Sequence, residues 1–389
     1  MTGTNRKKIA LVSDSVNAPT AYGKVTMALA KGMEKLGWEA SNMALQWSGA
    51  PAAFDGIAMY PAADPSQMEM SIMHVKPDVV VSVRDAWVHT DRWFAAPGRV
   101  PYNIKHWTMR YGGKTIIHSP VQSDPLPQEF VDTAKNACDA FVTMSEYGRN
   151  AMIAGGAPAD RVYVLYHGVN PDVFKPLDTP KADIREKLDL PTDGTMLMFV
   201  GLHLDGRKMQ PLLMEAFRRY LETDRDAFLY MHCDPQQFYA LDQHAKAMKL
   251  AGRNKVILKR QQGVMWGVGD AEMNELMNAA DVYVSLTAAE GFNYPAAEAS
   301  VSGLPLVLTD FPVHREVFGD APGVGFVPAT KTVPTVWSLD WHADVEKAAE
   351  LIAQAVREGK GQERKQWMPD KFRWEKICGK LDGIIREMK

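Results

Sequence analysis

The sequence predicts an α/β protein of two doubly wound domains. Three observations carry this. Short apolar runs alternate with amphipathic stretches along the whole chain, the pattern of parallel strands separated by helices. At 389 residues the chain is long enough for two cores of ordinary size. The clearest loops with glycine, cations or paired acids follow apolar runs, at the strand ends where such sheets bind ligands.

Composition narrows the classes. The chain is 46% hydrophobic with a net charge of -3, so it lacks the basic excess that bulk nucleic-acid binding needs. Cys138, Cys233 and Cys378 are widely spaced with no C-x-x-C, which indicates neither a disulfide framework nor a zinc site and fits a reducing compartment. MTGTNRKK leads into too few apolar residues for a secretory signal, and no run is long enough to span a membrane. A cytoplasmic location is expected, with peripheral membrane attachment left open.

The first strand is Ile9–Ser13, followed by the loop DSVNAPTAYGK and a helix from about Val25 to Leu36. Its apolar stripe is Val25, Ala28, Leu29, Gly32 and Leu36, and Gly37 stops it. The absence of G-x-G-x-x-G argues against a nicotinamide or flavin cofactor. Asp78–Val83 is the next strand, ending in the polar and aromatic Arg84-Asp85-Ala86-Trp87. Lys105–Lys114 mixes cations with aromatics, read as a surface loop whose Trp107 anchors in the core, or as an acceptor contact. Lys114–Pro120 is a strand with His118 at its end. A lone histidine is more often structural, yet this edge of a parallel strand faces the ligand. Ala140–Met144 is a strand, Ser145 caps a short helix and Gly155-Gly156 ends it. Arg161–Leu165 then leads into YHGVNPDVFKPL, where Gly168 permits a sharp turn and Pro171 and Pro176 stiffen the exit, as in a hinge.

A polar linker with the short helix ADIREKLDL precedes the strand Met196–Val200. Arg207 and Lys208 follow in the loop before the helix QPLLMEAFRRYLE, placed to clamp a diphosphate by a fork and a point charge. Phe228–Cys233 and Lys255–Lys259 are strands, and the turn QQGVMWGVGD leads to a helix capped by Asp270. Asp224-Arg225-Asp226 reads as D-x-D, but it enters a strand at its N-terminal end, so a metal role is rejected. Leu304–Asp310 is one more strand, a helix runs from about Asp344 to Arg357, and FRWEKICGKLDGIIREM is the last element.

The chemistry centres on DVYVSLTAAEGFNYPAAEASVSGLP, Asp281 to Pro305. Val282-Tyr283-Val284 is a buried strand, Gly291-Phe292-Asn293 a turn, and a helix follows with Asn293 as N-cap and Gly303 with Pro305 closing it. Such a unit aims backbone N–H groups and a helix dipole at one point, a seat for an anion. Glu290 and Glu298 frame that seat, and carboxylates accept from neighbouring hydroxyl pairs. A nucleotide-sugar, with its diphosphate, ribose diol and sugar hydroxyls, has that mix.

The E-x7-E spacing in EGF-N-Y-P, together with CDAFVTMSEYGRNAMIAGG…VYVLYHGVNPDVFKP, resembles the family-4 retaining glycosyltransferases, nearly over the whole chain. The resemblance implies the GT-B fold: a Rossmann-like acceptor-side domain over 1–178, a nucleotide-sugar domain over 190–370, and a helix over 371–389 crossing back to the first. It implies that Glu290 contacts the donor sugar and Glu298 the ribose, with Gly291, Phe292, Asn293 and Tyr294 around the donor. It implies a basic pair on the diphosphate, for which Lys208 serves and Arg207 replaces the family's arginine, since Leu202 stands at that place and Met209 after the lysine. It implies a sugar contact near His118, with Asp124 a weaker neighbour, a Gly23 loop at the phosphates or the acceptor, and base recognition by the backbone of Trp266-Gly267-Val268, for which a plain structural loop is the alternative. The implied activity is metal-independent, retaining hexosyl transfer, with a nucleotide-diphosphate sugar as co-substrate, no cofactor, and an unidentified acceptor such as a glycan, lipid or modified nucleobase. The implied route is front-side displacement, the leaving diphosphate helping to deprotonate the acceptor. The competing readings are a nucleotide-sugar hydrolase or epimerase, and a binding module without turnover.

Overall fold

The computed structural model describes residues 6–89, 102–122, 124–202, 206–233, 241–250, 255–259, 267–331 and 341–388. They form two compact units, one of residues 1–168 with 370–389 and one of residues 169–369. The division falls at Gly168, ten residues before the position expected from sequence. Residues after it belong to the second unit because Lys175 and Leu177 donate their N–H groups to Asn274 and Asn278.

In the first unit the strands are β1 (Lys8–Ser13), β2 (Glu39–Ala44), β3 (Ala52–Phe54), β4 (Ile57–Pro61), β5 (Val79–Val83), β6 (Lys114–His118), β7 (Ala140–Thr143) and β8 (Val162–Val164). Among the described residues they make one sheet ordered β3-β4-β2-β1-β5-β6-β7-β8. Only the β3–β4 edge pair is antiparallel. The chain winds outward from β1 in one direction, then returns to β1 and winds the other way from β5, so a switch point lies between β1 and β5. The central strands are buried almost from end to end and mostly apolar, with Ser13 and Ser82 as buried polar exceptions.

The second unit holds β9 (Met196–Val200), β10 (Phe228–His232), β11 (Val256–Lys259), β12 (Val282–Ser285), β13 (Leu306–Thr309) and β14 (Val324–Val327). These are ordered β11-β10-β9-β12-β13-β14. All pairs are parallel, with Val282 opposite Leu197 and Phe228 opposite Met196. The switch point is between β9 and β12. Leu197, Phe199, Leu213, Phe217, Leu229, Val284 and Ile352 lie in its core. Among the described residues no helix is long and apolar enough to cross a membrane.

Several local expectations are corrected. The first helix runs Ala21–Lys35, earlier than the apolar stripe suggests, because Thr20 caps it by accepting from Gly23 N–H. Leu36 falls outside that helix and is 42% exposed, and Met33 takes its place in the core. Lys105–Met109 is not a loop but belongs to the helix Ile104–Met109, with Trp107 buried. The helix Asp270–Ala279 has Gly269 at its N-cap, and Asp270 is its first residue. Gly168 is required for closeness, not for a special backbone angle: a Cβ there would lie 2.5 Å from the Trp374 ring. That ring begins the helix Trp374–Glu387, which packs on Ala21–Lys35, with Gly32 making room for Cys378 and Trp38 Nε1 donating to Asp382 at 2.9 Å.

Candidate functional site

At the second unit's switch point, the loops after β9 and β12 are stitched together. Ala288 N–H and the Thr287 hydroxyl both donate to the Arg207 carbonyl, at 2.9 and 3.1 Å. This carries Arg207 and Lys208 over the end of β12. Lys208 Nζ meets Glu290 Oε1 at 2.5 Å, and Arg207 Nη1 meets Oε2 at 3.1 Å while donating to the Ala289 carbonyl. The same Thr287 hydroxyl, with its single hydrogen, also lies 3.2 Å from Glu290 Oε1. Glu290 is only 7% exposed. Burial works against its charge, but Lys208 and Arg207 outweigh that and hold its pKa down to about 2. One carboxylate between two cations leaves this corner with a net positive charge, suited to an anion of two negative charges.

The turn after Glu290 opens the helix Tyr294–Val301. Gly291, Phe292, Asn293 and Tyr294 are all buried. Asn293 occupies the N-cap position, but the expected side-chain cap is absent: its backbone is left-handed, at φ 68° and ψ 66°, and its amide points elsewhere. The amide donates to Ser285 Oγ at 3.3 Å and is 2.9 Å from His314 Nε2. The first-turn groups of Ala296 and Ala297 bond to the Asn293 carbonyl instead. Glu298, 2% exposed, sits in the middle of this helix, and its charge together with burial raises the Tyr294 phenol well above its ordinary range.

The remaining candidates fall elsewhere. Gly267 and Val268 are half-buried residues leading into the helix Asp270–Ala279, and Trp266 lies outside the described residues. His118 and Gly23 belong to the first unit. His118 ends β6, 1% exposed, its Nε2 donating to the Leu165 carbonyl at 3.1 Å and its ring edge-on to His167 at 5.1 Å. Burial takes its pKa down to about 4, so it is neutral at pH 7. The Gly23 N–H is taken by Thr20, and a Cβ there would lie 2.2 Å from the Ala18 carbonyl oxygen, so this glycine seats the β1 loop against its helix. Asp124 precedes a cis proline.

Sequence reasoning missed a second cluster, at the switch point of the first sheet. Asp14, buried after β1, accepts from Arg84 at 2.6 Å, Thr20 at 2.6 Å and Gln46 at 2.5 Å. Tyr22 donates to Asp85 at 3.2 Å beneath the Arg84 guanidinium. The signal available was positional: Asp14 and Arg84 each follow directly on a central strand. Thr287 and His314 were missed too, and nothing in their local sequence marks them.

Residues 180–367 match the family model described as "Glycosyl transferases group 1". A probable monogalactosyldiacylglycerol synthase of Nicotiana tabacum is 27% identical over 269 residues, 66% of this chain. The match spans only 43% of that relative's length. Among solved structures, a glycosyltransferase of Rickettsia africae superposes with a TM-score of 0.65 at 15% identity, covering 99% of this chain and 94% of its own. Anabaena Alr3699/HepE in complex with UDP and glucose also gives 0.65 at 15% identity, covering 98% and 100%. Residues 180–367 thus match the group 1 glycosyltransferase family model, and the chain shares the GT-B fold of these solved structures.

Proposed function

We propose that this protein is a metal-independent, retaining glycosyltransferase that moves a hexosyl group from a nucleoside diphosphate sugar to an acceptor hydroxyl. The observation that carries the reading is the Arg207–Glu290–Lys208 cluster at the second sheet's switch point, beside the turn that opens the helix Tyr294–Val301. The UDP bound by the Anabaena protein of the same fold supports a uridine donor.

In this reading the diphosphate lies against Arg207, Lys208 and the helix N-terminus, which stabilise the charge that grows on it as the glycosidic bond breaks. Glu290 keeps both cations in place and offers an oxygen edge to the donor sugar. With its pKa near 2 and two cations on its carboxylate, it is a poor nucleophile and a poorer acid. This favours front-side displacement, in which the leaving phosphate oxygen takes the acceptor proton. Glu298 holds the ribose diol. Gly267 and Val268 serve the base, and His118 and the Gly23 loop serve the acceptor side.

The test is a donor screen by calorimetry and turnover with UDP-, GDP- and ADP-glucose, followed by the 2′-deoxy form of the best donor. A charged hydrogen bond to one ribose hydroxyl is worth about 1.5–3 kcal/mol, so the deoxy donor should lose roughly 10- to 100-fold in kcat/KM. Equal use of both donors removes Glu298 from the ribose. Binding of no nucleotide-sugar overturns the reading. Full donor consumption with no acceptor effect makes the protein a hydrolase or epimerase.

A further inference from the structure

Beneath the donor turn lies a buried histidine, His314, that is not among the proposed donor contacts. His314, fully buried in the helix Pro312–Phe318, is wedged between Phe311, stacked at 4.0 Å, and Phe318, edge-on at 5.9 Å. Its Nδ1 is 2.8 Å from the Thr309 carbonyl oxygen, at the end of β13. A carbonyl only accepts, so Nδ1 carries the proton and Nε2 presents a bare lone pair. That lone pair is 2.9 Å from the side-chain nitrogen of Asn293, which must therefore be the amide NH2, its other hydrogen going to Ser285 Oγ. The bond pattern thus fixes both the imidazole tautomer and the amide orientation.

Asn293 is the residue whose left-handed backbone turns the chain from Gly291-Phe292 into the helix. A non-glycine residue pays for that conformation, asparagine least among the larger ones. The amide clamped by His314 and Ser285 therefore selects the turn and, with it, the direction of the backbone groups that face the diphosphate. We propose that His314, as its Nδ1–H tautomer, is a positioning residue that holds the donor turn through the Asn293 side chain, an inference that rests on the donor reading of this site. Protonation at Nε2 would set donor against donor and release Asn293. The groups around the ring divide: Glu290 and Asp310 favour its proton and Lys208 opposes it, while burial dominates and leaves it neutral.

The experiment uses the full chain and five proteins: wild type, His314→Phe, His314→Gln, Asn293→Gly and the His314→Phe/Asn293→Gly double variant. Phenylalanine keeps the stack and removes both bonds. Glutamine keeps a donor and an acceptor on one group and can remake the bond to Asn293, with its oxygen near the place of Nε2. With the best UDP-sugar, His314→Phe should lower kcat about 10- to 100-fold while KM for donor moves less than threefold, and His314→Gln should recover to within about fivefold of wild type. In the Asn293→Gly background His314→Phe should cost little more, since both act through one amide. Equal fold losses from His314→Phe with and without Asn293 would make His314 a packing residue only and overturn the proposal. Nitrogen NMR of the wild-type imidazole supplies a check without donor: a protonated Nδ1 and bare Nε2 at pH 7 are required, and the opposite tautomer refutes the relay. Wild-type calorimetry with UDP-sugar separates the two failures, since no binding sinks the donor reading, whereas binding with an insensitive His314→Phe sinks only the relay.

Discussion

Replacing Glu290 by glutamine is the most discriminating single change, because stability and ligand affinity should move in opposite directions. The carboxylate accepts from Lys208 and Arg207 at 2.5 and 3.1 Å in a site where it is 7% exposed. Glutamine keeps the shape but turns an NH2 group toward one of the cations. Truncating one partner of a buried pair costs about 3–5 kcal/mol. Lys208 and Arg207 keep 16% and 22% side-chain exposure, so hydration recovers part of this and the net cost should be about 2–3 kcal/mol. For a unit of this size that lowers Tm by about 4–12 °C. The same change adds one positive charge to the anion seat. A unit charge about 10 Å from a diphosphate oxygen, at an effective dielectric of 20, is worth about 1.7 kcal/mol, so UDP should bind roughly tenfold tighter. Turnover should nevertheless fall about 100-fold, because the sugar loses its carboxylate contact and the cations their alignment. The assays are scanning calorimetry, titration with UDP, and donor consumption. An unchanged Tm together with unchanged or weaker UDP binding would refute the view that Glu290 is the counter-ion of this pair.

Two further outcomes follow from the same geometry. Transfer should persist in excess EDTA, and Asp224→Asn with Asp226→Asn should keep turnover within about threefold, since Asp224 is occupied by Thr195 Oγ at 2.6 Å and the Tyr220 hydroxyl at 3.1 Å at the far end of β10; abolition by EDTA with rescue by magnesium would refute it. Acid should destabilise the fold before any carboxylate titrates: His118 and His314 are held neutral with pKa values lowered to about 4, and His167 is lowered as well. The unfolded chain takes up protons near pH 6.5 that the native state refuses, so stability is whole above that value and falls as pH drops toward 4, by about 1.4 kcal/mol per histidine at pH 5.5. Urea midpoints at pH 7.5 and 5.5 measure this, and identical midpoints would show that these rings charge freely in the native state.

Apolar runs made most of the strands legible, because a strand buried on both faces has little freedom of composition. The strand β2, EASNMA, was illegible for the opposite reason. Its Ser41 and Asn42 are buried polar residues, and Asn42 spends its amide on the β1 loop, accepting from Val16 N–H and donating to the Leu11 carbonyl. Periodicity sees a polar residue there and reports surface. The site divides in the same way. Glu290 and Glu298 share a strand–turn–helix unit, so their spacing carries meaning within one short stretch. The contact between Arg207 and Glu290 spans 82 residues from Arg207 to Ala289 and beyond, and it exists only because β9 and β12 are neighbours in the sheet. His314 is a lone histidine that bonds Thr309 close by and Asn293 in the preceding strand–turn–helix unit, and a single histidine carries no spacing that marks this role.

The two switch points bear on the proposal that the donor binds the second unit. In each sheet the loop after the first strand meets the loop after the fourth parallel strand through a carboxylate and an arginine: Asp14 with Arg84 in one, Glu290 with Arg207 in the other. Winding in opposite directions from a central strand opens a crevice there, and an ion pair across it is one way to fix both walls. The surroundings then differ. Beside Asp14 and Arg84 stands a second carboxylate, Asp85, which accepts from Tyr22. Beside Glu290 and Arg207 stands a second cation, Lys208, with the buried Glu298 on the helix that follows. In the proposed reading a diphosphate meets the two cations of the second crevice, and an acceptor hydroxyl can donate to the carboxylates of the first. Charge removal tests this: Asp85→Asn should leave UDP affinity within about threefold, whereas Lys208→Met should weaken it about tenfold by titration, and equal affinities in the two variants would refute the assignment.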